Sequence, residues 1–322
     1  MPPLTLSGIP SPLSPLALGT MLYGSSIPTP DAFRLLDTFV GAGGTVLDTA
    51  HGYAGWLPNG AGRSETTIGD WLKHSGARDE VVISTKGGQP RRPDPTVRAT
   101  PAHLSADLSQ SLERLQLPTV DLYWFHRDNP DLPVAELMEW AWAEIDAGRI
   151  RSIGASNWTT ARIREANLLA QSRARPGLVG SQIGWSLMES RPEGIADPSL
   201  VHMSTQEHAG YVELGLPVFA YQAQARGFFS PEKRGSASHL KRYDTPLNQA
   251  RLRIVDEIAK RTNYTPNQIG LAWFQRESFP VIPVIGARTH AQLEDALGAA
   301  HIELDFSDWQ RLTAPPGFSI SA

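Results

Sequence analysis

Four ionisable residues of this chain have types and spacing that could do chemistry: Asp48, Tyr53, Lys86 and His126. Asp48 closes the apolar run of "GGTVLDTAHGY", and Tyr53 follows it in the same stretch. Lys86 ends "VVISTK" and His126 ends "VDLYWFH". A tyrosine hydroxyl, with a reference pKa of about 10, is by itself a reluctant acid at neutral pH. A nearby ammonium favours the phenolate and lowers that value, and a carboxylate beside the ammonium keeps it charged and in place. A histidine adds a donor that can orient a substrate oxygen. Together these types make a tunable acid for protonating the alkoxide formed from a carbonyl. The set lacks its own hydride source, and the sequence displays neither a metal-binding cluster nor a nucleophile triad.

Singly, each residue has an ordinary reading. Asp48 could cap a helix, Tyr53 pack in a loop, Lys86 end a solvated strand and His126 sit hydrogen-bonded in a core. The catalytic reading rests on all four occurring in order. His51, His103 and His239 keep the ordinary reading. The glycine-rich "GAGG" at 41–44 precedes a strand instead of joining strand to helix, so it is not a dinucleotide fingerprint.

The elements that must position these groups alternate along the chain. Short apolar runs at 15–20, 45–50, 81–86, 120–126, 151–157, 178–184, 217–222 and 281–286 read as strands. Between them lie stretches of helical period such as "PDAFRLLDTFVGAG", "SETTIGDWLKHSG", "LSADLSQSLERLQ", "PVAELMEWAWAEIDAG" and "NQARLRIVDEIAKRT". In the first, Thr29 is expected to N-cap with Pro30 opening the helix. Phe33, Leu36 and Val40 would form its apolar face, and the glycines from Gly41 its stop. Alternating strands and helices argue for a parallel sheet. Eight such units argue for closure into an α/β barrel of the (β/α)8 TIM type. The expectation is one domain over residues 1–322, with a short N-terminal segment at about 1–14 plugging the barrel floor and a tail at about 300–322. Thr20, Asp48, Lys86, His126, Asn157, Gln182, Gln222 and Arg288 fall at or beyond strand ends. In such a barrel those ends share one face, where active sites are built.

Composition narrows the alternatives. The chain has 322 residues, 41% hydrophobic and 19% charged, with a formal net charge of -4. That balance gives no basic footprint for nucleic acid or a membrane surface. With no cysteine, disulfides, thiolate metal sites and a cysteine nucleophile are excluded. No stretch approaches a span of about 20 apolar residues. The opening "MPPLTLSGIPSPLSPLALGT" lacks the charged and apolar regions of a signal peptide. The expectation is a cytoplasmic protein with a small-molecule partner and no metal.

The segments around these residues resemble the aldo-keto reductases. "DTAHGY" is similar to that family's Asp-Thr-Ala-x-x-Tyr, "GRSETTIGDWL" to its glycine-x-Ser-Glu helix, and "ISTKGG" to its lysine strand. "VDLYWFHRDNP" resembles its Asp-Leu-Tyr-x-x-His strand, and "IRSIGASNW" its Gly-x-Ser-Asn segment. "FAYQAQARGFF" and "VIPVIGARTHAQLEDAL" resemble its cofactor segments. The matches run in family order from about residue 48 to 297. By this resemblance Tyr53 is the general acid, Lys86 and Asp48 lower its pKa, and His126 orients the carbonyl. The resemblance also implies NADP(H) lying across the barrel mouth. Gly19, Thr20, Met21 and Asp48 would lie near the nicotinamide ribose. Ser156, Asn157 and Gln182 would bind the carboxamide, with Tyr221 stacked on the ring. Gln222, Gln224, Arg226 and Gly227 would follow the pyrophosphate. Gly286, Arg288, Gln292 and Asp295 would face the adenosine, with Arg288 toward a 2′-phosphate.

Two departures from the family pattern stand out. Its Ser-Pro-Leu is here Gln222-Ala223-Gln224, and its Glu-Asn is here Asp295-Ala296; they leave NAD(H) open beside NADP(H). Trp56 and Trp158, with Trp185 as a further possibility, follow strands and suggest an aromatic wall that would join Tyr53 and His126 in binding an apolar carbonyl or sugar. The polar insert "GQPRRPDPTVRAT" and the long "RGFFSPEKRGSASHLKRYDTPLN" read as mobile, the second as a lid over cofactor. Two competing functions carry other expectations. The family fold also serves potassium-channel β subunits, which would mean nucleotide binding with little turnover. A barrel glycosidase needs two flanking carboxylates, whereas Asp48 has a lysine for its partner.

Overall fold

The structure, a computed structural model, describes residues 4–90, 97–195 and 197–317. Eight strands are present: β1 (Ala17–Gly19), β2 (Val46–Asp48), β3 (Val82–Gly87), β4 (Val120–Phe125), β5 (Ile150–Ser156), β6 (Ser181–Gly184), β7 (Val218–Tyr221) and β8 (Val281–Ile285). Each pairs in parallel with the next and β8 returns to β1, closing the (β/α)8 barrel expected from the alternation. Parallel strands covered on both faces need near-continuous apolar runs, and β3 and β4 are buried along their whole length.

The two-residue pleat sorts the side chains into two layers. Ala17, Val46, Val82, Leu122, Trp124, Phe219, Ile282 and Val284 fill the barrel interior. Their neighbours Leu18, Leu47, Ile83 and Tyr123 face the helices in a separate, larger core. The N-terminal stretch bridges back on itself at Leu4 and Leu13 and adds Leu6, Ile9 and Leu13 to the interior cluster. It therefore seals the floor, and each such side chain contributes roughly 1.5–3 kcal/mol by burial. Gly154 on β5 makes room for the central tryptophan, since a Cβ there would lie 2.4 Å from the Trp124 ring.

The first helix differs in detail from expectation. It runs Thr29–Gly41 with Pro28 as the flanking residue and no side-chain cap, so Thr29 is inside it and is not its N-cap. Its buried face is Ala32, Leu35, Leu36 and Phe39, with Phe33 and Val40 only partly covered. The buried positions 32, 35, 36 and 39 keep the three- and four-residue spacing of one helical face, centred beside the row expected. Asp37 is also engaged, accepting the Trp71 indole N–H at 2.7 Å.

Two segments read as mobile are structured where described. Of the insert at 88–100, positions 91–96 lie outside the described residues, and Arg98 returns to bond Asp107 at 2.7 Å. Residues 226–248 form the short helices Pro231–Arg234 and Ala237–Tyr243. Phe228 and Tyr243 are buried and stack at 5.2 Å, and Arg234 grips Asp256 through two bonds of 2.7 and 2.8 Å. Stacked aromatics and a bidentate arginine tie this segment together and to the helix Pro246–Arg261. Beyond residue 300, the helix Phe306–Thr313 packs on the helix Pro246–Arg261. Among the described residues no helix is long and apolar enough to cross a membrane.

Candidate active site

At the C-terminal face, β2, β3, β4 and β6 bring their polar ends together. Lys86 Nζ donates to Asp48 Oδ2 at 2.7 Å, to the Thr49 carbonyl at 2.6 Å and to the Tyr53 hydroxyl at 3.3 Å. The ammonium also lies 5.0 Å from the Tyr53 ring centroid. Asp48 Oδ1 accepts from Ser84 Oγ at 3.0 Å and Gln182 Nε2 at 2.9 Å, and Ser84 in turn accepts the Trp124 indole N–H at 2.7 Å. Asp48, Ser84, Lys86, Trp124 and Gln182 are inward residues of their strands, so the register Asp48↔Ser84 and Lys86↔Trp124 sets the network. Thr49 and Tyr53 join it from the turn after β2. His126 follows β4, with its ring 6.1 Å from that of Tyr53 and nearly perpendicular to it. The sequence-predicted tetrad is thus one cluster in space.

Electrostatics separate the roles. Burial works against the Lys86 ammonium, but Asp48 and then Tyr53 outweigh it, and its pKa is raised. Burial raises the Tyr53 pKa above its ordinary value; Lys86 pulls it down without cancelling that effect. Asp48 acts on Tyr53 in the raising direction, which corrects the expectation that lysine and aspartate together lower it. The carboxylate helps by keeping Lys86 charged, and Tyr53 rests as a phenol. Burial drives the His126 pKa well below its ordinary value, with Arg127, Lys86 and His51 adding repulsion. The imidazole is therefore neutral at pH 7, and its Nδ1 has no partner among the described residues.

These groups lie in a cavity of about 670 Å³ that extends toward the end of β8, within the range of pockets that hold cofactors and small molecules. Gly19, Met21, Asp48, Tyr53, His126, Ser156, Asn157, Gln182, Tyr221, Gln222, Gln224, Arg226, Gly227, Gly286, Arg288, Gln292 and Asp295 all line it. Thr20 does not; it is fully buried and bonds the Asp48 carbonyl and Ser64. Lys86 stands behind Tyr53. Asn157 has every hydrogen-bonding valence in use: Nδ2 donates to the His126 carbonyl and Ser156, while Oδ1 accepts from Val201 N and the Tyr221 hydroxyl. A carboxamide contact from Asn157 would cost one of these bonds.

The two departures are braces. Gln222 Oε1 accepts from Arg242 at 2.9 Å. Gln224 Oε1 accepts the Gly286 N–H at 2.8 Å, tying the β7 loop to the end of β8. Asp295 accepts from Thr265 at 2.6 Å and Asn267 at 2.7 Å, and Ala296 is buried. Asn157, Gln222 and Arg226 hold the left-handed backbone at φ 60°, 59° and 56°, a strain that collects at functional sites.

The aromatic wall is not where the sequence suggested. Trp158 has no exposed surface and stacks on Phe125 at 5.3 Å, with Arg162 over its other side. The left-handed turn at Asn157 carries it out of the mouth into the helix layer. Trp56 is 51% exposed and is not part of the cavity wall. Trp185 packs with Trp273, Phe274 and Phe279 and borders a second cavity of about 540 Å³. The apolar wall comes instead from Leu22, Tyr23, Ile27, Leu200 and Phe229. Arg127, Lys233 and Asn267 also reach the cavity and were not foreseen. Arg127 directly follows His126 and Lys233 lies in the stretch read as a lid, so both could have been suspected; Asn267 comes from a segment distant in sequence.

Besides Arg127, which pairs with Asp197, the cations Arg226, Lys233 and Arg288 line the cavity, and none of these three forms an ion pair among the described residues. The helix His290–Gly298 begins beside Arg288, so its free N–H groups add positive potential. Gly286 opens on empty space where a side chain would project. An elongated pocket with a proton-donor end and a cationic stretch fits a dinucleotide with its phosphates.

Comparison with known proteins agrees. The model of the Aldo/keto reductase family matches residues 15–315. The chain is 30% identical over 304 residues to the "Uncharacterized oxidoreductase YrpG" of Bacillus subtilis (strain 168), covering 91% of this chain and 89% of that one. It is 28% identical over 294 residues to the "Aldo-keto reductase str7" of Strobilurus tenacellus, covering 88% and 80%. It is 27% identical over 260 residues to the "Aldo-keto reductase yakc [NADP(+)]" of Schizosaccharomyces pombe (strain 972 / ATCC 24843), covering 76% and 72%.

Proposed function

Starting from the chain's membership of the aldo/keto reductase family, we propose that it reduces an aldehyde or ketone to the alcohol with NADPH, Tyr53 supplying the proton. Family membership makes the protein a nicotinamide-dependent oxidoreductase, and the NADP(+) in the name of one relative supports the phosphorylated cofactor. The observation that carries the proposal is Lys86, at 2.7 Å from Asp48 and 3.3 Å from the Tyr53 hydroxyl. When bound, the cofactor supplies the hydride.

The chain's own groups do the rest. Substrate carbonyl oxygen would sit between the Tyr53 hydroxyl and the neutral His126 ring. His126 would orient that oxygen by a hydrogen bond without competing as an acid. As negative charge develops on the oxygen, Tyr53 gives up its proton, and the adjacent Lys86 ammonium stabilises the phenolate that remains. Asp48 holds the ammonium against the cost of burying it. Arg226, Lys233 and Arg288 would hold the phosphates, and Tyr221 would back the nicotinamide ring. The same steps run backward for alcohol oxidation.

The test is loss of NADPH absorbance with a panel of aldehydes, ketones and sugars, wild type beside Tyr53→Phe. Turnover by wild type and a loss of about 10²–10⁴-fold in kcat for Tyr53→Phe is expected, with NADPH binding retained. If NADPH binds and neither protein turns over any carbonyl, the chain is a nucleotide-binding regulatory protein instead.

A further inference from the structure

Arg127, the residue after His126, lines the cavity while only 6% of it is exposed. Its Nε donates to Ser199 Oγ at 2.9 Å, its Nη1 to the His126 carbonyl at 2.8 Å and its Nη2 to Asp197 Oδ2 at 3.2 Å. A guanidinium carries five N–H donors. One N–H on Nη1 and one on Nη2 therefore lack an acceptor among the described residues. Two of its five donors are thus available to an acceptor in the cavity, and hydrogen bonds from a charged donor to a carboxylate are the strong ones.

The guanidinium has one carboxylate partner among the described residues. Asp197 is the carboxylate partner, its side chain 31% exposed, on the segment between β6 and the helix Thr205–Leu214. A nearly buried cation with two N–H groups to spare and one partly exposed partner can receive an anion arriving from the cavity. The charge is felt at the reacting groups as well: burial and then Arg127 lower the His126 pKa, and Arg127 acts in the lowering direction on Tyr53 without cancelling the rise from burial.

Resting on the reductase reading above, we propose that Arg127 is a substrate-binding residue that selects carbonyl compounds carrying a carboxylate beside the reacting carbonyl. The carboxylate accepts from the free N–H groups of Nη1 and Nη2, competing with Asp197, and this anchors the carbonyl next to His126.

Two measurements test this on the whole protein. The first compares kcat/KM for 2-carboxybenzaldehyde, 4-carboxybenzaldehyde and benzaldehyde with NADPH in wild type, Arg127→Met and Asp197→Asn. The second titrates benzoate into the NADP(+)-bound protein. Wild type is expected to prefer the ortho-carboxylated aldehyde to benzaldehyde by at least about tenfold, about 1.4 kcal/mol. Arg127→Met brings that ratio near one and weakens benzoate binding by a similar factor. Asp197→Asn removes the competing anion and raises both. A merely structural anchor predicts the opposite for Asp197→Asn, with all three aldehydes falling together. A wild-type ratio near one with benzaldehyde still turned over overturns the proposal, as does benzoate binding indifferent to Arg127. If no aldehyde is reduced while benzoate binds in an Arg127-dependent way, the reductase reading fails and the anion site stands.

Discussion

Asp48 and Gln182 are 134 residues apart in the chain and meet at 2.9 Å inside the barrel. They come from β2 and β6, across the interior from each other. The glutamine amide steadies the carboxylate oxygen that Lys86 does not use, so Asp48 is satisfied on both sides. Gln182→Leu is expected to leave that oxygen short of a donor and to destabilise the fold by about 1–3 kcal/mol. Urea unfolding measures this, and an unchanged midpoint would show that Ser84 alone suffices.

The raised pKa of Tyr53 and the lowered pKa of His126 set the pH profile. If Tyr53 is the proton donor as proposed, reduction needs the phenol, which persists up to its raised pKa. The rate of carbonyl reduction should therefore be flat between about pH 6 and pH 9 and fall only in stronger alkali. Oxidation of the alcohol needs the phenolate and should climb over the same interval. Since His126 stays neutral, neither direction should show a limb near pH 6.5. A limb there that vanishes in His126→Gln would contradict the electrostatic assignment.

Trp158 and Trp56 should respond oppositely to truncation. Trp158→Ala removes a fully buried ring stacked on Phe125, and a loss of about 3–5 kcal/mol is expected. Trp56→Ala changes an exposed ring and should stay within about 0.5 kcal/mol. Thermal unfolding of the two variants decides it, and equal losses would mean that Trp56 has a partner in solution that the structure lacks.

Arg288 has no ion-pair partner among the described residues and lines the cationic stretch of the cavity. Arg288→Ala should raise KM for NADPH about ten- to hundredfold, about 1.4–2.7 kcal/mol, and leave KM for NADH nearly unaltered. A parallel change for both cofactors would place Arg288 on the pyrophosphate and not on a 2′-phosphate.

Residue type and order alone were enough to find eight strands, the barrel they close, and Asp48, Tyr53, Lys86 and His126 at its mouth. The reason is periodicity. Parallel strands covered on both faces are mostly apolar, so a carboxylate, an ammonium or an imidazole at the end of one marks the face where such groups gather. Whatever depends on a turn's direction or on distant segments was decided by the tertiary structure. The left-handed backbone at Asn157 sends Trp158 into the core, although its place after a strand pointed to the pocket. Leu200 and Asn267 reach the cavity from a remote loop and a remote helix, and no local pattern announces them. The sign of the Tyr53 shift was also beyond the sequence. A neighbouring lysine can be read from a motif, but the burial that outweighs it exists only once the barrel has closed around both.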